Sequence, residues 1–267
     1  MPDLTGKTAL VTGSVQGIGF AIAKAVASAG ARVALHGLPN DPKADTAVQA
    51  MLDAGAAQAR YFAADISDPD QIDGLMAEVA DWGGVDILVN NAGIQHPAPI
   101  ADVPRATWNA IIAVNLSACF HTMQAVMPEM EKRGYGRVIN IASVQGLIGS
   151  IHKAPYVSAK HGLVGLSKVA ALEYARSGSK AKGGVTVNCI CPGWTETELI
   201  GPQIEARAQQ IGGDRDAAIA DLLSEKQPTC RTSDPAEMGA LALWLCDPVA
   251  HNVTGTQIPV DGGWTAQ

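Results

Sequence analysis

The chain has 267 residues, 47% of them hydrophobic and 17% charged, and a formal net charge of −7 from 19 basic and 26 acidic side chains. That length suits one large domain or two small ones with a substantial core, and the acidic balance disfavours nucleic acid and anionic membranes as partners. Five scattered cysteines without a Cys-x-x-Cys, no charged-then-apolar leader and no apolar run of transmembrane length lead us to expect free thiols in a reducing, cytoplasmic setting.

In chain order, an apolar run at 8–12 predicts a first strand, followed by Gly13-x-x-x-Gly17-x-Gly19 and an alanine-rich helix that Gly30 ends as a cap. Strands follow at 32–36, 61–65, 85–89, 137–142, 185–190 and 257–260. Between them lie helices ending near Ala54, starting at Asp68-Pro69 with Asp68 as N-cap, and covering 107–133, 156–176 and 234–245. Residues 194–228 are polar and helical in pattern and interrupt the alternation. Continuous apolar strands alternating with helices predict a parallel sheet covered on both faces. The rhythm never restarts, so the expected fold is a single α/β domain, a Rossmann-type doubly wound parallel sheet over 1–267, with 194–228 as a helical substrate lid.

Ligands of such sheets bind beyond the carboxyl ends of the strands. The polar and glycine-rich features of this chain follow strand ends. Glycines let the first turn approach a pyrophosphate, which the following helix amino terminus favours. The candidate cofactor contacts are Thr12, Gly13, Ser14, Gln16, Gly17, Ile18 and Gly19 in that turn, with Thr12 and Ser14 as extra donors. Leu38 follows strand two, Asp65 and Ile66 strand three, and Asn91, Ala92 and Gly93 strand four. Pro192, Gly193, Thr195 and Thr197 follow strand six. An acidic residue ending strand two would hold ribose hydroxyls, and a basic one the extra phosphate of NADP. This chain has His36-Gly37-Leu38-Pro39 there and Gln16 in the glycine turn, with Lys43 as a nearby cation in a loop. The expected cofactor is NAD. No His/Cys cluster has metal-ligand spacing, so no metal is expected.

Tyr156 and Lys160 are four residues apart, which on a helix puts both on one face. A free phenol titrates near ~10, and a fixed ammonium beside a phenol favours the phenolate. Ser143 ends strand five, where a hydroxyl facing such a pair suits proton exchange with an alcohol. Taken alone, Tyr-x-x-x-Lys is an ordinary amphipathic helix start; the rim motifs around it favour chemistry.

Together, Thr12-Gly13-x-x-x-Gly17-x-Gly19, Asn90-Asn91-Ala92-Gly93, Asn115, Ser143, Tyr156-x-x-x-Lys160 and Pro192-Gly193 resemble the short-chain dehydrogenase/reductase family over essentially the whole chain. The resemblance implies a catalytic tetrad of Asn115, Ser143, Tyr156 and Lys160. In it Tyr156 is the acid/base, Ser143 bonds the substrate oxygen, Lys160 supports the phenolate and holds the nicotinamide ribose, and Asn115 holds a relay water. In sequence, a buried helix amide bonded to backbone would look the same as that Asn115. Gln95, Lys153, Trp194, Gln203, Glu225-Lys-Gln-Pro228 and the ending Asp261-Gly-Gly-Trp264-Thr look like the subfamily of bacterial D-3-hydroxybutyrate dehydrogenases. That likeness gives Gln95, Lys153 and Gln203 to a substrate carboxylate and Trp194 and Trp264 to an apolar wall. Gln145 stands where that subfamily has a histidine, and a glutamine cannot carry charge. His152 and His96 read as pocket-edge or surface residues.

The expected reaction is reversible oxidation of (R)-3-hydroxybutyrate to acetoacetate, so the partner is a small hydroxy or keto acid. Other readings are NADPH-dependent reduction of 3-oxoacyl groups on a carrier protein, polyol or sugar dehydrogenation, and a cofactor sensor without turnover. The family resemblance further implies a homotetramer with the helices over 107–133 and 156–176 at one interface.

Overall fold

A computed structural model describes residues 2–198 and 200–266. Seven strands form one parallel sheet: β1 (Thr8–Val11), β2 (Arg32–Gly37), β3 (Gln58–Ala63), β4 (Ile87–Asn90), β5 (Tyr135–Ile141), β6 (Gly184–Pro192) and β7 (Gln257–Val260). Their order is β3-β2-β1-β4-β5-β6-β7, so the winding reverses between β1 and β4. The two faces follow from the two-residue alternation of strands. Ala9 and Val11 of β1 join the core under α1 (Gly17–Ser28), α2 (Ala44–Asp53) and α9 (Pro235–Cys246). Leu10 points the other way, into the core under α3 (Pro69–Trp82), α5 (Ala118–Arg133) and α6 (Ala154–Tyr174). Helix α9 crosses α1 closely: a Cβ on Gly239 would stand 2.8 Å from the Ala21 carbonyl oxygen.

Two elements differ from expectation. The third strand starts three residues earlier than its apolar run, because this edge strand alternates exposed Gln58 with half-buried Ala59 and carries polar Arg60. The expected helix over 107–133 is α4 (Arg105–Ile112) and α5, joined by a π-helical turn over Ala113–Ser117 that contains Asn115. Within Arg105–Arg133 an 18-residue window reaches a mean hydropathy of 1.4, enough by length and composition alone to cross a membrane, where the sequence reading expects no such run. Here Ala118, Met123, Val126, Met127 and Met130 pack against α3 and the sheet, as in the core helix of a globular fold. Asp68 caps α3 as expected, accepting from the Asp70 N–H at 3.0 Å.

A buried polar seam aligns the helices with the sheet. Asn90 donates to Asn140 at 2.9 Å, Thr122 of α5 donates to Asn90 at 2.8 Å, and Asn140 donates to Ser167 of α6 at 2.8 Å. After β6 the chain leaves the sheet through α7 (Gly201–Ile211) and α8 (Arg215–Leu223), which have a small core of their own around Ile200, Ile204 and Ala218.

His36 ties the glycine turn to the end of β2. Its Nδ1 accepts from the Gly13 N–H at 3.2 Å, and Nε2 reaches the Ala64 carbonyl at 3.2 Å, so the neutral Nε2–H tautomer satisfies both. Burial lowers its pKa to about 4. An unfolded chain takes that proton near pH ~6.5, whereas the folded chain refuses it until about 4. Stability is therefore full above that window and falls by roughly 3 kcal/mol as pH drops through it. Thermal unfolding from pH 7 to 4 tests this: the His36→Asn variant loses that part of the acid sensitivity. An unchanged slope would remove His36 as its source.

Candidate active site

The glycine turn and the β4 loop interlock. Thr12 Oγ1 accepts the N–H groups of Asn91 and Ala92 at 3.0 and 3.1 Å, and Asn91 Nδ2 donates back to the Thr12 and Gly13 carbonyls at 2.9 and 2.8 Å. The approach requires glycine: a Cβ on Gly19 would stand 2.3 Å from the Gly13 carbonyl oxygen. Ser14 Oγ accepts the His36 N–H at 2.9 Å. Thr12 and Ser14 are thus buried and spend these contacts on shaping the turn; they do not line the cleft beyond it. Gln16 precedes α1 without a side-chain cap, and the first turn of α1 carries no acid. Its open N–H groups are a ready anion site.

Beyond the strand ends lies a cleft of about 680 Å³. Gly13, Gln16, Gly17 and Ile18 line one end with Leu38, Asp65 and Ile66. Asn91, Ala92 and Gly93 form its middle, and Ser143, Tyr156, Lys160 and Gln95 the other end, with Pro192, Gly193, Thr195 and Thr197 opposite. Asp65 Oδ1 accepts the Ser67 N–H at 2.9 Å, and that bond holds the carboxyl below its usual range. Thr195 Oγ1 is buried in this wall without a hydrogen-bond partner. An uncapped helix terminus at one end and an orphaned hydroxyl in the facing wall fit a nicotinamide dinucleotide.

Tyr156 lies in the first turn of α6 and Lys160 one turn on. Lys160 is 3% exposed, and its ammonium donates to the Ile141 carbonyl at 2.7 Å and sits 5.5 Å from the Tyr156 ring centroid. Ser143 Oγ accepts the Gln145 N–H at 3.1 Å, which leaves its own proton to donate. The Asn115 amide closes a two-way bond with the Ile94 backbone, both contacts 2.8 Å. Asn115 Oδ1 and Lys160 Nζ flank Gly93, at 3.3 and 3.7 Å from where a Cβ would stand.

The expected substrate contacts are more dispersed. Only Gln95, Ser143 and Tyr156 of that set line the cleft. Gln145 is buried, and its side-chain Oε1 has no partner. Trp194 packs on the small core of α7 and α8. Gln203 lies on an exposed face of α7. Trp264 is presented by a turn that Asp261 builds: its carboxylate accepts from Gly263 N, Thr265 N and Thr265 Oγ1 at 3.0, 2.8 and 2.7 Å. His96 and His152 are exposed, and the His152 carbonyl accepts the Ala98 N–H at 2.8 Å, tying the Gln95 loop to Lys153.

Sequence reasoning missed a second cation. Lys226 Nζ stands 5.9 Å from the Trp264 ring centroid, and burial together with the Lys226 charge holds the Lys153 pKa below the usual lysine range. Neither lysine has an ion pair among the described residues. The next residue, Gln227, is buried, and its Oε1 accepts the Trp194 N–H at 3.2 Å. Lys226 lies inside the Glu225–Pro228 motif, but nothing in local spacing shows that the return from α8 reaches Lys153. The role of His36 was equally hidden, since it depends on the meeting of β1, β2 and β3.

Comparison with known proteins places this site in a family. The chain is 47% identical over 266 residues to a D-beta-hydroxybutyrate dehydrogenase of Cupriavidus necator, covering 99% of this chain and 100% of that one. It is 44% identical to the D-beta-hydroxybutyrate dehydrogenase of Rhizobium meliloti, covering 98% and 99%. A solved 3-oxoacyl (acyl-carrier-protein) reductase from Agrobacterium tumefaciens C58 with NADP bound superposes with a TM-score of 0.86 at 29% identity, covering 98% of this chain and 95% of that one. With the short chain dehydrogenase model matching residues 7–208, the chain belongs to the short-chain dehydrogenase family and is an oxidoreductase acting on CH–OH donors.

Proposed function

We propose that this protein interconverts (R)-3-hydroxybutyrate and acetoacetate with NAD in the cytoplasm. The observation that carries the reading is the convergence of Ser143, Tyr156 and Lys160 on one cleft, with Lys226 beside Trp264, its charge acting on Lys153, and neither lysine ion-paired among the described residues. Likeness at 47% identity to a D-beta-hydroxybutyrate dehydrogenase supports the substrate. NAD, held in this cleft, would supply the hydride acceptor for the alcohol carbon.

The side chains of this protein handle the proton and the carboxylate. Tyr156 takes the hydroxyl proton as general base, and Ser143 donates its free O–H to the substrate oxygen. Lys160 has one of its three N–H donors on Ile141; the other two are for the Tyr156 oxygen and the nicotinamide ribose. Its charge stabilises the phenolate. Asn115, which like the ammonium stands close to Gly93, holds the relay water. Lys153, Lys226 and Gln95 bind the carboxylate, and Trp194 and Trp264 form the apolar wall. Residues 194–228 are the lid, and its closure brings Gln203 to the carboxylate and excludes water. Gln145 adds a neutral hydrogen bond, so the two lysines supply the charge. Exposed Trp108, Phe120, Val169 and Leu172 lie on α4, α5 and α6, which supports a homotetramer assembled through those helices.

Two sets of variants test the chemistry. Tyr156→Phe lowers kcat on (R)-3-hydroxybutyrate by about 10²- to 10⁴-fold while NAD binding persists in calorimetry; wild-type turnover in this variant would sink the acid/base assignment. Lys226→Met and Lys153→Met each raise KM for the hydroxy acid about tenfold or more, the scale of a charge-assisted hydrogen bond, and leave KM for an uncharged secondary alcohol unmoved. Because Lys226 repels the Lys153 proton, Lys226→Met also moves the alkaline rise in KM to higher pH. Equal effects on charged and neutral substrates would argue against carboxylate binding.

A further inference from the structure

The ribose end of the cleft is bounded by Leu38 and Asp41 after β2 and by Gln16 in the glycine turn. In a doubly wound dinucleotide site the adenosine ribose meets the end of this second strand, and there a 2′-phosphate separates NADP from NAD. A site for NADP needs a free cation at this place. Lys43, the residue before α2, is in reach: its ammonium contacts Gln16 Oε1. Its backbone is fixed by Asp41, whose Oδ1 accepts the Lys43 N–H at 2.9 Å. The base on the neighbouring strand, Arg60, turns instead toward Glu78 at 3.6 Å and the Phe62 ring.

Lys43 is already taken. Glu198, 155 residues away at the root of the helical excursion, accepts from its ammonium at 2.7 Å. A second ion pair steadies the same root, Arg215 to Glu196 at 3.2 Å. The Lys43 and Glu198 side chains are 45% and 69% exposed, so water screens the pair and it adds little to folding stability. Its consequence is local. We propose that Glu198 masks Lys43 and thereby sets the cofactor preference. The ammonium that would meet a 2′-phosphate is engaged by a carboxylate, and Glu198 and Asp41 present like charge to an incoming phosphate. NAD, whose 2′-hydroxyl carries no charge, pays neither penalty. This inference rests on NAD as the cofactor and names the residue that makes it so.

Calorimetry with 2′,5′-ADP and ADP isolates the 2′-phosphate from turnover. Glu198→Gln tightens 2′,5′-ADP relative to ADP by about fivefold, the scale of one exposed ion pair. Glu198→Ala shifts the ratio the same way. Adding Lys43→Met to Glu198→Gln returns the ratio to the wild-type value. A ratio unmoved in both Glu198 variants, or a gain that survives Lys43→Met, overturns the masking. Wild-type steady-state rates with NAD and NADP read the cofactor assignment separately, so a preference for NADP would defeat that reading without being mistaken for the nucleotide result.

Discussion

A buried ammonium is costly unless its hydrogens are used. Lys160 meets that demand with the Ile141 carbonyl, the last residue of β5, and the bond fixes where α6 stands over the sheet. Seven residues on, and so on the same helix face, Ser167 accepts from Asn140 of the same strand. Two polar rivets along one face leave α6 little freedom to rotate or slide. Tyr156 and Ser143, one on the helix and one just past the strand, are brought together by that constraint.

Much of this was legible in the chain. Apolar strands such as 87–89 announce a parallel sheet, and the glycine turn, Asn91–Gly93, Ser143 and Pro192 announce the rim. The tetrad spacing was readable because Tyr156 and Lys160 are joined by one helical turn. Other features were not, each for a physical reason. A π-helical turn leaves no mark on apolar spacing, so the break at Asn115 was invisible. β3 sits at the sheet edge and mixes polar with apolar residues, so apolar spacing alone starts it only at Tyr61. Thr12 and Ser14 are the right residue types for phosphate donors, but their partners come from β2 and the β4 loop. Lys226 and Glu198 act across 73 and 155 positions, on Lys153 and Lys43 respectively, a separation that no local pattern records.

Gln145 joins the legible and illegible parts. It stands where the family resemblance led us to expect a histidine, and its side-chain oxygen is buried without a partner. An orphaned acceptor costs ~1–3 kcal/mol, a cost a protein tolerates where a ligand supplies the missing partner. The charge that a histidine would have offered is absent. On the proposed reading, Lys226, beside Trp264, and Lys153 carry positive charge in its stead, from two separate segments of chain.

The excursion through α7 and α8 is held differently from the rest. Its core is a handful of residues around Ile204, and its root leans on solvent-exposed ion pairs. The sheet and α6 rest on large apolar cores and buried polar rivets. Opening free energies inside one fold vary with just these quantities. The molecule is thus a stiff frame carrying a softer flap. Amide protons of β4, β5 and α6 are therefore expected to exchange with solvent only as the whole frame opens, and those of α7 and α8 through a cheaper, local opening.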